Sequence, residues 1–592
     1  SEQYTLGLYS VNRPEWAIGE LGGHRQRMVS VALYDTLGPA TIEFILNHAE
    51  VPVLMLSADK ILTILQLRDK LPLLKGLICM DSLDTFSDLA PPSTLDGIPF
   101  PGSMPVPGHV LRAWAAEKGL KLIDFAELEA IGRDSPAAPR NPSADDIATY
   151  CYTSGTTGNP KGAILTHLNI ISAVAGVQLL LGARVDDIHI SYLPLAHVYE
   201  RVAMVTMLHK GSAVGFSRGD TALLMDDIAL LQPTVFITVP RLLNRIYDKL
   251  TAATINADGL VGVMARRAVA SKLDRLACGL GTTHPVWDRL LFNKIRQVMG
   301  GRVRVILTGS APISKEVLQF LRIAFCCSVH EGYGQTECAA AGTITLPAEN
   351  LAGHVGVPIA SAELKLVDIP EMNYLSTDKP SPRGEICIRG HNVFKGYLKD
   401  PEKTRETLDS DGWLHTGDVG RINASGTLSI IDRKKNIFKL AQGEYIAPEK
   451  IENIYGTHAA VAQVFVHGDS LQSQLVTIIV PDPETFPQWV KDVLGQSVSA
   501  KDIALICQED KGLRRKLLDE LNRLGRKAGL HGFEQAKNLR FSLEPFTIEN
   551  NLLTPTLKLK RMESREHFRT IIDEMYKELT EPTEAAHVNA KL

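Results

Sequence analysis

Short apolar runs separated by helix-length amphipathic stretches dominate the first part of the chain. The runs Thr5–Tyr9, Val29–Leu33 and 51–56 have the length and the residue types of buried strands. Strands that alternate with helices are typical of βα units feeding a mostly parallel sheet. The pattern therefore predicts an α/β fold, with mixed or parallel sheets and flanking helices.

A helix is predicted after Pro312. Ser314 can cap its first turn, and the apolar residues that follow recur at i, i+3, i+4, i+7 and i+8. These apolar positions are Val317, Phe320, Leu321, Ala324 and Phe325. Such a stripe indicates that the helix packs on a sheet.

The pattern changes near Asp432. Residues 420–432 read as two short strands with a turn at 424–426, and Pro448 suits the first turn of a following helix. The composition beyond this point predicts a separate, small α+β unit, which closes with an apolar helical stripe. The stripe consists of Phe568, Ile571, Ile572, Met575, Tyr576 and Leu579. The predicted division is a large domain at 1–431, a hinge at 432–435, a small domain at 436–580 and a polar tail at 581–592.

Composition excludes several classes of protein. The chain has 592 residues, of which 45% are hydrophobic and 22% charged, so global disorder and fibrous repeats are excluded. With 63 basic against 67 acidic residues, the net charge of −4 is too balanced to suggest nucleic acid as the main partner, so no nucleic-acid partner is expected. The longest apolar run, 170–183, is shorter than the ~20 residues that span a bilayer. The eight cysteines lack C-x-x-C or zinc-type spacing, which favours a reduced intracellular compartment.

The stretch that is richest in candidate chemistry follows the apolar run ending at Tyr152. Its glycines let backbone N–H groups point at an anion, its hydroxyls add donors, and its lysine adds a positive charge. The residues are Thr153, Ser154, Gly155, Thr156, Thr157, Gly158, Asn159, Pro160, Lys161 and Gly162. A Walker A loop is excluded, because Lys161 is followed by Gly162 rather than by Ser or Thr. The stretch predicts a polyphosphate site, with a plain surface turn as the alternative.

Together with further motifs in order, this stretch makes the chain similar to the adenylate-forming superfamily, and specifically to its long-chain acyl-CoA synthetases. The further motifs are Leu193-Pro194-Leu195-Ala196-His197, Thr308-Gly309-Ser310-Ala311-Pro312, Gly332-Tyr333-Gly334-Gln335-Thr336-Glu337, Thr416-Gly417-Asp418, Asp432-Arg433-Lys434-Lys435, Gly443-Glu444-Tyr445-Ile446-Ala447-Pro448, and Leu553-Thr554-Pro555-Thr556-Leu557-Lys558-Leu559-Lys560-Arg561. The long-chain subgroup is indicated by the segment from His284-Pro285 to Gly300-Gly301-Arg302 and by the residues Tyr34-Asp35-Thr36-Leu37-Gly38. The resemblance spans nearly the whole chain.

The resemblance implies a two-step ligase. A long-chain fatty carboxylate attacks the α-phosphate of ATP to give acyl-adenylate and pyrophosphate, and the thiol of coenzyme A then takes the acyl group and releases AMP. Mg²⁺ is the implied cofactor. The implied fold is a large AMP-binding adenylation domain at 1–431, lacking its extreme N-terminal portion, with a mobile small domain.

The resemblance also assigns the nucleotide contacts. The residues 153–158 with Lys161, the segment Gly309, Ser310 and Ala311, and Gly334 would hold ATP or AMP. Tyr333 would stack on adenine and Thr336 would reach the α-phosphate, although either could be a core or turn residue. Asp418 would accept hydrogen bonds from the ribose, as a charge-assisted pair, or be a turn residue after Gly417. Arg433 would touch the ribose, or belong to an ordinary charged loop.

Four residues are implied to act in catalysis. Glu337 matches the magnesium ligand, because hard carboxylate oxygen suits Mg²⁺, with Thr153 as a further metal contact and a solvated loop acid as the alternative. Thr336, which would reach the α-phosphate, is the second residue implied to act in catalysis. His197 would lie beside the reacting carboxylate or simply be packed, since histidine burial is intermediate. Lys558 matches the mobile lysine of the adenylation step. Lys560 and Arg561 leave its register open, and Thr-Leu-Lys-Leu-Lys departs from the Ser-Gly-Lys of many relatives.

The two half-reactions need different groups at one substrate. A small domain that pivots at Asp432-Arg433 would exchange Lys558 for the turn at Gly443 and Glu444, which would line the channel for coenzyme A. A ligase that delivers to a separate carrier protein, or acts in a secondary-metabolite pathway, is the alternative within enzymes. A catalytically silent nucleotide- or acyl-binding protein is the alternative outside them.

The last three residues resemble a targeting signal. Ala590-Lys591-Leu592 is close to the peroxisomal Ser-Lys-Leu signal, so we expect a peroxisomal import receptor as a partner. Otherwise the expected location is cytoplasmic or membrane-associated, with peripheral membrane contact.

Overall fold

The computed structural model describes residues 3–84, 106–153, 159–347, 349–442, 444–495, 503, 506–508, 510–554 and 558–580. The predicted α/β class is confirmed, with two large sheets, a smaller antiparallel sheet and a compact C-terminal unit. Within the described residues, no helix combines the length and apolar character needed to cross a membrane.

The strands are distributed over five sheets. The first sheet contains β1 (Thr5–Tyr9), β2 (Val29–Leu33), β3 (Val53–Leu56), β4 (Gly76–Cys79), β5 (Lys121–Asp124), β6 (Ile147–Thr153) and β7 (Lys161–Thr166). The second contains β8 (Ile188–Ser191), β9 (Ala213–Phe216), β10 (Val235–Thr238), β11 (Val305–Thr308), β12 (Ser328–Tyr333), β13 (Thr343–Ile344) and β14 (Val357–Pro358). The third sheet contains β15 (Ala362–Val367), β16 (Arg383–Gly390), β17 (Leu414–Ile422) and β18 (Leu428–Arg433). The fourth contains β19 (Phe438–Lys439) and β20 (Tyr445–Ile446). The fifth contains β21 (Val461–His467), β22 (Leu475–Pro481) and β23 (Ala536–Phe541).

The α-helices lie between these strands and after the last of them. They are α1 (Pro14–Arg25), α2 (Pro39–His48), α3 (Ile61–Leu67), α4 (Gly108–Glu117), α5 (Phe125–Asp134), α6 (His167–Leu181), α7 (Val198–Lys210), α8 (Leu224–Leu231), α9 (Pro240–Ala253), α10 (Gly259–Ala277), α11 (Asn293–Gln297), α12 (Lys315–Phe325), α13 (Pro401–Thr407), α14 (Pro448–Tyr455), α15 (Phe486–Leu494), α16 (Lys511–Lys527), α17 (Arg561–His567) and α18 (Arg569–Thr580). Short helical turns lie at Ala58–Lys60, Arg68–Lys70, Asp288–Phe292, Thr336–Cys338, Pro370–Met372 and Gly532–Glu534.

The two seven-stranded sheets are mainly parallel. The first has the order β5-β4-β3-β1-β2-β6-β7, and only its β6–β7 pair is antiparallel. The second has the order β14-β13-β12-β11-β10-β8-β9, with β8 to β12 parallel. Carboxyl ends of parallel strands lie at one edge of a sheet, and that edge is where open α/β sheets bind ligands. The loops after β11 and β12 are therefore neighbours.

Helices α6 and α7 pack between the two large sheets. Ala173 and Val174 of α6 and Val202 of α7 are buried with Cys151 of the first sheet and Val235 of the second. Thr166 caps α6, because its hydroxyl accepts from the N–H of Asn169 at 3.2 Å. The left-handed Gly182 ends the helix. These two helices therefore belong to both halves of the core.

Most of the predicted elements are found where expected. β1 and β2 have the predicted bounds, whereas β3 begins at Val53, one residue after Pro52, which has no N–H to donate. In α12, the Ser314 hydroxyl accepts from the N–H of Val317 at 3.2 Å, as predicted. Its five apolar residues are all buried against the second sheet.

The chain beyond β18 has its own cores. β17 and β18 form the predicted hairpin, although β17 already starts at Leu414, where it pairs with β16. The strands β21–β23 bury one face against α14 and α16. The predicted stripe packs on the other face, where Phe568, which lies between α17 and α18, is buried together with Ile572, Met575 and Tyr576 of α18. The division into domains with a hinge at 432–435 stays a prediction.

Candidate active site

A cavity of about 770 Å³ opens where the loops after β11 and β12 face the β6–β7 hairpin, the β17–β18 pair and the segment before α17. Most of the site residues predicted from sequence line it. They are Thr153, Lys161, His197, Gly309, Ser310, Ala311, Tyr333, Gly334, Thr336, Glu337, Asp418, Arg433 and Lys558. The fold thus collects motifs that are spread over some four hundred residues of sequence.

The remaining predicted residues are elsewhere. Glu444 is exposed on the connection between β19 and β20 and is not part of the cavity wall. Ser154, Gly155, Thr156, Thr157, Gly158 and Gly443 lie outside the described residues. The exchange of Lys558 for the Gly443-Glu444 turn therefore stays a prediction.

The predicted phosphate loop connects two antiparallel strands. Thr153, the last residue of β6, pairs with Lys161, the first residue of β7. A P-loop would lead from a strand into a helix, so this topology agrees with the exclusion of that class. Burial, with the charge of Lys403 second, lowers the pKa of Lys161, whose Nζ lies 5.6 Å from the centre of the Tyr397 ring. The approach of an anion would therefore stabilise the charged form of Lys161.

Asp418 is held in a fixed orientation. Its Oδ2 accepts from the Tyr333 hydroxyl at 2.7 Å and from Gln335 Nε2 at 2.6 Å, and the same Nε2 donates to the carbonyl of Thr416 at 2.8 Å. Arg433 Nε lies 3.7 Å from Asp418 Oδ1. Burial and the Asp418 charge raise the pKa of Tyr333 well above its usual range, so its hydroxyl stays a donor. Gln335 was not predicted as a site residue, although it lies inside a recognised motif.

Two glycines of the cavity wall leave no room for a side chain. A Cβ on Gly334 would lie 2.2 Å from the carbonyl oxygen of Ala340, and one on Gly309 would lie 2.9 Å from that of Gly332. Next to Gly309 in the loop after β11, Ser310 has φ of 74°, which is a left-handed conformation unusual for a residue with a side chain. The backbone itself therefore forms this part of the wall.

Glu337 is fixed by a tyrosine that sequence reasoning missed. The Tyr397 hydroxyl donates to Glu337 Oε1 at 2.6 Å, and the two residues are brought together by the fold. Burial and Glu337 raise the pKa of Tyr397, which keeps the hydroxyl protonated. Nothing in the sequence around Tyr397 distinguishes it from a core aromatic, since its partner comes from a different loop.

The donor set at Glu337 fits a magnesium ion held jointly with a polyphosphate. No group of three or more His, Cys, Asp or Glu side chains in the described part of the chain could hold a metal alone. Mg²⁺ at phosphate sites is usually bound through one or two carboxylates plus substrate phosphates. Glu337 supplies one such carboxylate in the cavity.

His197 and Lys558 line the same cavity although they are more than 350 residues apart in the sequence. His197 caps α7, where its Nδ1 accepts from the N–H of Tyr199 at 3.1 Å. Burial, then the charge of Lys558, lowers the pKa of His197 to about 3. Burial, then the charge of Arg433, lowers the pKa of Lys558 to about 8. The imidazole is therefore neutral at ordinary pH and leaves the positive charge to the lysine.

The register of the basic segment is resolved by the neighbours of Lys558. Lys560 Nζ donates to Asn551 Oδ1 at 2.6 Å, and Arg561 Nη1 donates to Glu452 Oε1 at 3.1 Å. Lys558, by contrast, lines the cavity, and its N–H donates to the Thr554 hydroxyl at 3.0 Å. Of the three basic residues, Lys558 is thus the one in the cavity.

One part of the cavity wall is apolar, and we call this part the apolar branch. Helices α6 and α7 supply Val177, Leu181, Val202 and Ala203 to its wall. Ile237 of β10 adds to the same wall. A hydrocarbon chain in this branch would be removed from water beside a polar, cationic end, which suits an acid with a long apolar tail.

Known proteins are similar to this chain in sequence. Residues 2–398 match the family described as AMP-binding enzyme. The chain is 45% identical over 580 residues to the peroxisomal long chain acyl-CoA synthetase 7 of Arabidopsis thaliana, covering 97% of this chain and 78% of that protein. It is 45% identical over 580 residues to long-chain-fatty-acid–CoA ligase 6 of Homo sapiens, covering 96% and 78%.

Two solved structures have a fold similar to that of this chain. The adenylation domain of a carboxylate reductase from Mycobacterium chelonae aligns with a TM-score of 0.77 at 26% identity, covering 97% of this chain and 81% of that one. The adenylation domain of a second carboxylic acid reductase, from Segniliparus rugosus in complex with AMP and a co-purified carboxylic acid, aligns with a TM-score of 0.76 at 25% identity, covering 98% and 83%.

The fold and the cavity define an adenylate-forming enzyme. The chain belongs to the AMP-binding enzyme family and, within it, to the long-chain acyl-CoA synthetases.

Proposed function

We propose that the cavity joins a long-chain fatty acid to coenzyme A at the expense of ATP, through an acyl-adenylate, with release of pyrophosphate and AMP. The reaction class is that of an AMP-forming acid–thiol ligase. The observation that carries the proposal is the junction of an apolar branch with a polar end that contains Lys558, Glu337 and Asp418. The names of the relatives support the same activity.

The polar end is suited to nucleotide binding. Tyr333 and Asp418 would hold adenine and ribose, with Arg433 beside the carboxylate. Lys161 and Thr153, at the two ends of the β6–β7 connection, would frame the phosphates, together with Ser310 and Thr336. Fixed donors around a polyanion need no reorganisation when charge moves during the reaction.

Lys558 would act in the first step. The fatty carboxylate oxygen attacks the α-phosphate, and pyrophosphate leaves with the bond electrons. The ammonium of Lys558 would lie where negative charge concentrates between the carboxylate and the phosphate. His197, kept neutral by burial, would position the carboxylate without adding a second positive charge beside Lys558. Preorganised electrostatic groups of this kind are usually the largest single contribution to such a reaction.

Mg²⁺ would be held by Glu337, oriented by Tyr397, together with the phosphates of ATP. When bound, the ion neutralises phosphate charge. Thr153, which also lines the cavity, is a further candidate contact.

The second step would need a different placement of the small domain. We infer that rotation at 432–435 withdraws Lys558 and brings the Gly443-Glu444 turn to the channel of coenzyme A. In support, Lys558 lies in the cavity while Glu444 lies outside it, as expected for the arrangement of the first step. A hinge requires few residues to change their backbone angles.

The two alternatives have less support. A carrier-protein ligase shares the adenylation step, yet the relatives at 44–45% identity are named acyl-CoA synthetases or fatty acid–CoA ligases. A silent binding protein would not need Lys558, Glu337 and Asp418 together in one cavity.

Pyrophosphate release tests the function directly. Purified protein with ATP and Mg²⁺ should release pyrophosphate only when a fatty acid is present, and multiple turnovers should require coenzyme A. Turnover with a carrier protein but not with coenzyme A would support the alternative ligase. No release with any acid of a graded chain-length panel would contradict the proposal.

The place of action is a separate proposal. We infer import into peroxisomes through Ala590-Lys591-Leu592, and support comes from the names of two Arabidopsis thaliana relatives at 45% and 44% identity. A fluorescent reporter that ends in residues 581–592 should enter peroxisomes, and the same reporter with Leu592→Ala should stay outside. Equal distribution of both reporters would contradict this proposal.

A further inference from the structure

Asn12, in the connection between β1 and α1, is hydrogen-bonded to the turn that carries His197. We call this turn, residues 193–197, the His197 turn. The Nδ2 of Asn12 donates to the carbonyl of Leu193 at 2.6 Å, and its Oδ1 accepts from the N–H of Leu195 at 2.8 Å. One side-chain amide therefore holds two backbone groups of the His197 turn.

The orientation of the Asn12 amide is fixed by its partners. Its Nδ2 also donates to the hydroxyl of Ser191, the last residue of β8, at 2.9 Å. A flipped amide would set its oxygen against the carbonyl of Leu193 and its NH₂ group against the N–H of Leu195. Asparagine supplies a donor and an acceptor together, whereas an ionised aspartate supplies acceptors alone. The geometry thus requires the amide and not merely a polar side chain.

The backbone that carries Asn12 is itself anchored. The neighbouring Arg13 donates from Nη1 to Asp81 Oδ1 at 2.6 Å and from Nε to Glu15 Oε2 at 2.7 Å. Pro14 then begins α1, a position at which its fixed φ suits the first turn. Since Asp81 follows β4 and Asn12 follows β1, the first sheet sets the position of the Asn12 amide.

Arg201 of α7 holds the same turn through a second contact. Its Nε donates to the carbonyl of Leu195 at 2.9 Å. Only 2% of Arg201 is exposed, its Cζ lies 5.3 Å from the centre of the Trp16 ring, and its Nη1 lies 3.4 Å from Glu20 Oε1. Trp16 and Glu20 belong to α1, which begins two residues after Asn12. Both backbone polar groups of Leu195 are therefore bound by side chains that the first α1 segment supplies or supports.

The His197 turn in turn fixes the imidazole. The backbone N–H of His197 donates to the carbonyl of Pro194 at 2.9 Å, and its Nδ1 accepts from the N–H of Tyr199 at 3.1 Å. Burial, then the charge of Lys558, lowers the pKa of His197 to about 3, so the ring is neutral. A neutral ring that accepts at Nδ1 carries its proton on Nε2. The imidazole thus has one N–H to donate to a carboxylate.

We propose that Asn12 is a positioning residue for the adenylation step: its amide holds the His197 turn, and thereby the His197 imidazole, at the place where the fatty carboxylate reacts. Asn12 is not part of the cavity wall, so it acts through the turn. Small displacements of a group that orients a substrate have large effects on rate. This inference rests on the proposed function and adds to it a residue of the first sheet.

Single-turnover acyl-adenylate formation tests the role of Asn12. Full-length protein receives palmitate, ATP and Mg²⁺ without coenzyme A. In Asn12→Asp an oxygen faces the carbonyl of Leu193, and we expect the rate at saturating substrates to fall about tenfold or more. The KM for ATP should stay unchanged, because other loops contact the nucleotide. Asn12→Ala, which brings no charge into the site, should show the same pattern and serves if the aspartate variant folds poorly.

A double-mutant cycle separates positioning from a general structural role. In the His197→Ala background, Asn12→Asp should lower the rate by less than about twofold, because the imidazole that the amide positions is already absent. A purely structural contribution of Asn12 would give the same loss in both backgrounds. Hence equal losses with and without His197 would overturn the proposal.

Asn47→Asp is the matched control. Asn47 lies in α2, where its Nδ2 donates to the carbonyl of Lys70 at 2.9 Å, and it does not line the cavity. This variant should form acyl-adenylate at the wild-type rate.

Hydrogen exchange gives a readout that does not depend on activity. In Asn12→Ala the peptide that contains the His197 turn should exchange faster than in the wild type, because the N–H of Leu195 has lost its acceptor. The strands of the second sheet should keep their protection. Faster exchange throughout the large sheets, or unchanged exchange of the turn, would contradict a local positioning role.

The outcomes distinguish this inference from the proposed function. A wild type that forms no acyl-adenylate with palmitate would refute the proposed function and this inference with it. An active wild type whose Asn12 variants keep the wild-type rate, or change the KM for ATP alone, would overturn the positioning role and leave the proposed function standing.

Discussion

The side chains of Lys558 and His197 line the same cavity, and the charge of the lysine adds to burial in lowering the pKa of the histidine to about 3. The histidine lies between β8 of the second sheet and α7, whereas the lysine follows the last strand of the small C-terminal unit. Their proximity means that one ammonium, and not an imidazolium, supplies the positive charge at this place.

Removal of that ammonium should separate the two half-reactions. Lys558→Ala is expected to lower acyl-adenylate formation by about 10²-fold or more, the scale of losing one electrostatic group in an active site. Thioester formation from supplied acyl-adenylate should change little. The control is Lys560→Ala, whose ammonium binds Asn551 outside the cavity. If both half-reactions of Lys558→Ala fell equally, the exchange of groups by domain rotation would be wrong.

The adenylation step should lose activity in mild alkali. Burial lowers the pKa of Lys558 to about 8, so the charged form is lost as the pH rises through 8. We expect kcat/KM for pyrophosphate release to fall above that pH, since this parameter reports the free enzyme. In Lys558→Arg the guanidinium stays charged, and the alkaline decline should disappear even if the rate is lower. An unchanged decline in that variant would assign it to another group.

Tyr397 should act through Glu337. Tyr397→Phe removes a hydrogen bond to a carboxylate, which we expect to lower adenylation about tenfold at limiting Mg²⁺, in keeping with a charge-assisted hydrogen bond. In Glu337→Gln the same tyrosine change should cost much less, because the partner is already altered. Measurement of all four members of this cycle over a range of Mg²⁺ concentrations checks the coupling. Additive losses would show that Tyr397 has a separate role.

Gly334 should be intolerant of a side chain. In Gly334→Ala the added Cβ would meet the carbonyl of Ala340 at 2.2 Å, so the turn must open. We expect a lower melting temperature and a raised KM for ATP, with a stability loss of about 1–3 kcal/mol. Gly132→Ala is the matched control, since Gly132 lies in α5 with no atom within 4 Å of the added methyl. That change should be neutral or stabilise by about 0.5–1 kcal/mol.

Glu331 should make the fold less stable as the pH rises. Burial raises the pKa of this carboxyl to about 8, so the folded protein keeps a proton that the unfolded chain releases above its ordinary pKa of 4.5. The unfolded state then binds fewer protons, and the free energy of unfolding falls between pH 4.5 and 8. Glu331→Gln should gain stability over the wild type as the pH increases from 5.5 to 7.5, on the order of 2 kcal/mol. Denaturant midpoints at the two pH values measure this, and a constant difference would contradict it.

The small number of residues missed by sequence reasoning have a common reason. Tyr397 and Gln335 act on carboxylates that belong to distant segments, Glu337 and Asp418 respectively, so no local spacing reveals them. The register of the basic segment was open for the same reason. Lys560 and Lys558 look alike in sequence, and only the position of Asn551 turns one of them away from the cavity.

The sequence by itself determined the α/β class, the strand and helix bounds around Ser314 and Pro448, and the motifs of an AMP-binding enzyme, because these depend on local periodicity, turn chemistry and short ordered signatures. Only the tertiary structure decided that Lys558 shares a cavity with His197, that Tyr397 fixes Glu337, and that Asn12 holds the turn that carries His197. Such relationships join atoms far apart in the chain, and the packing of two sheets on shared helices sets their distances.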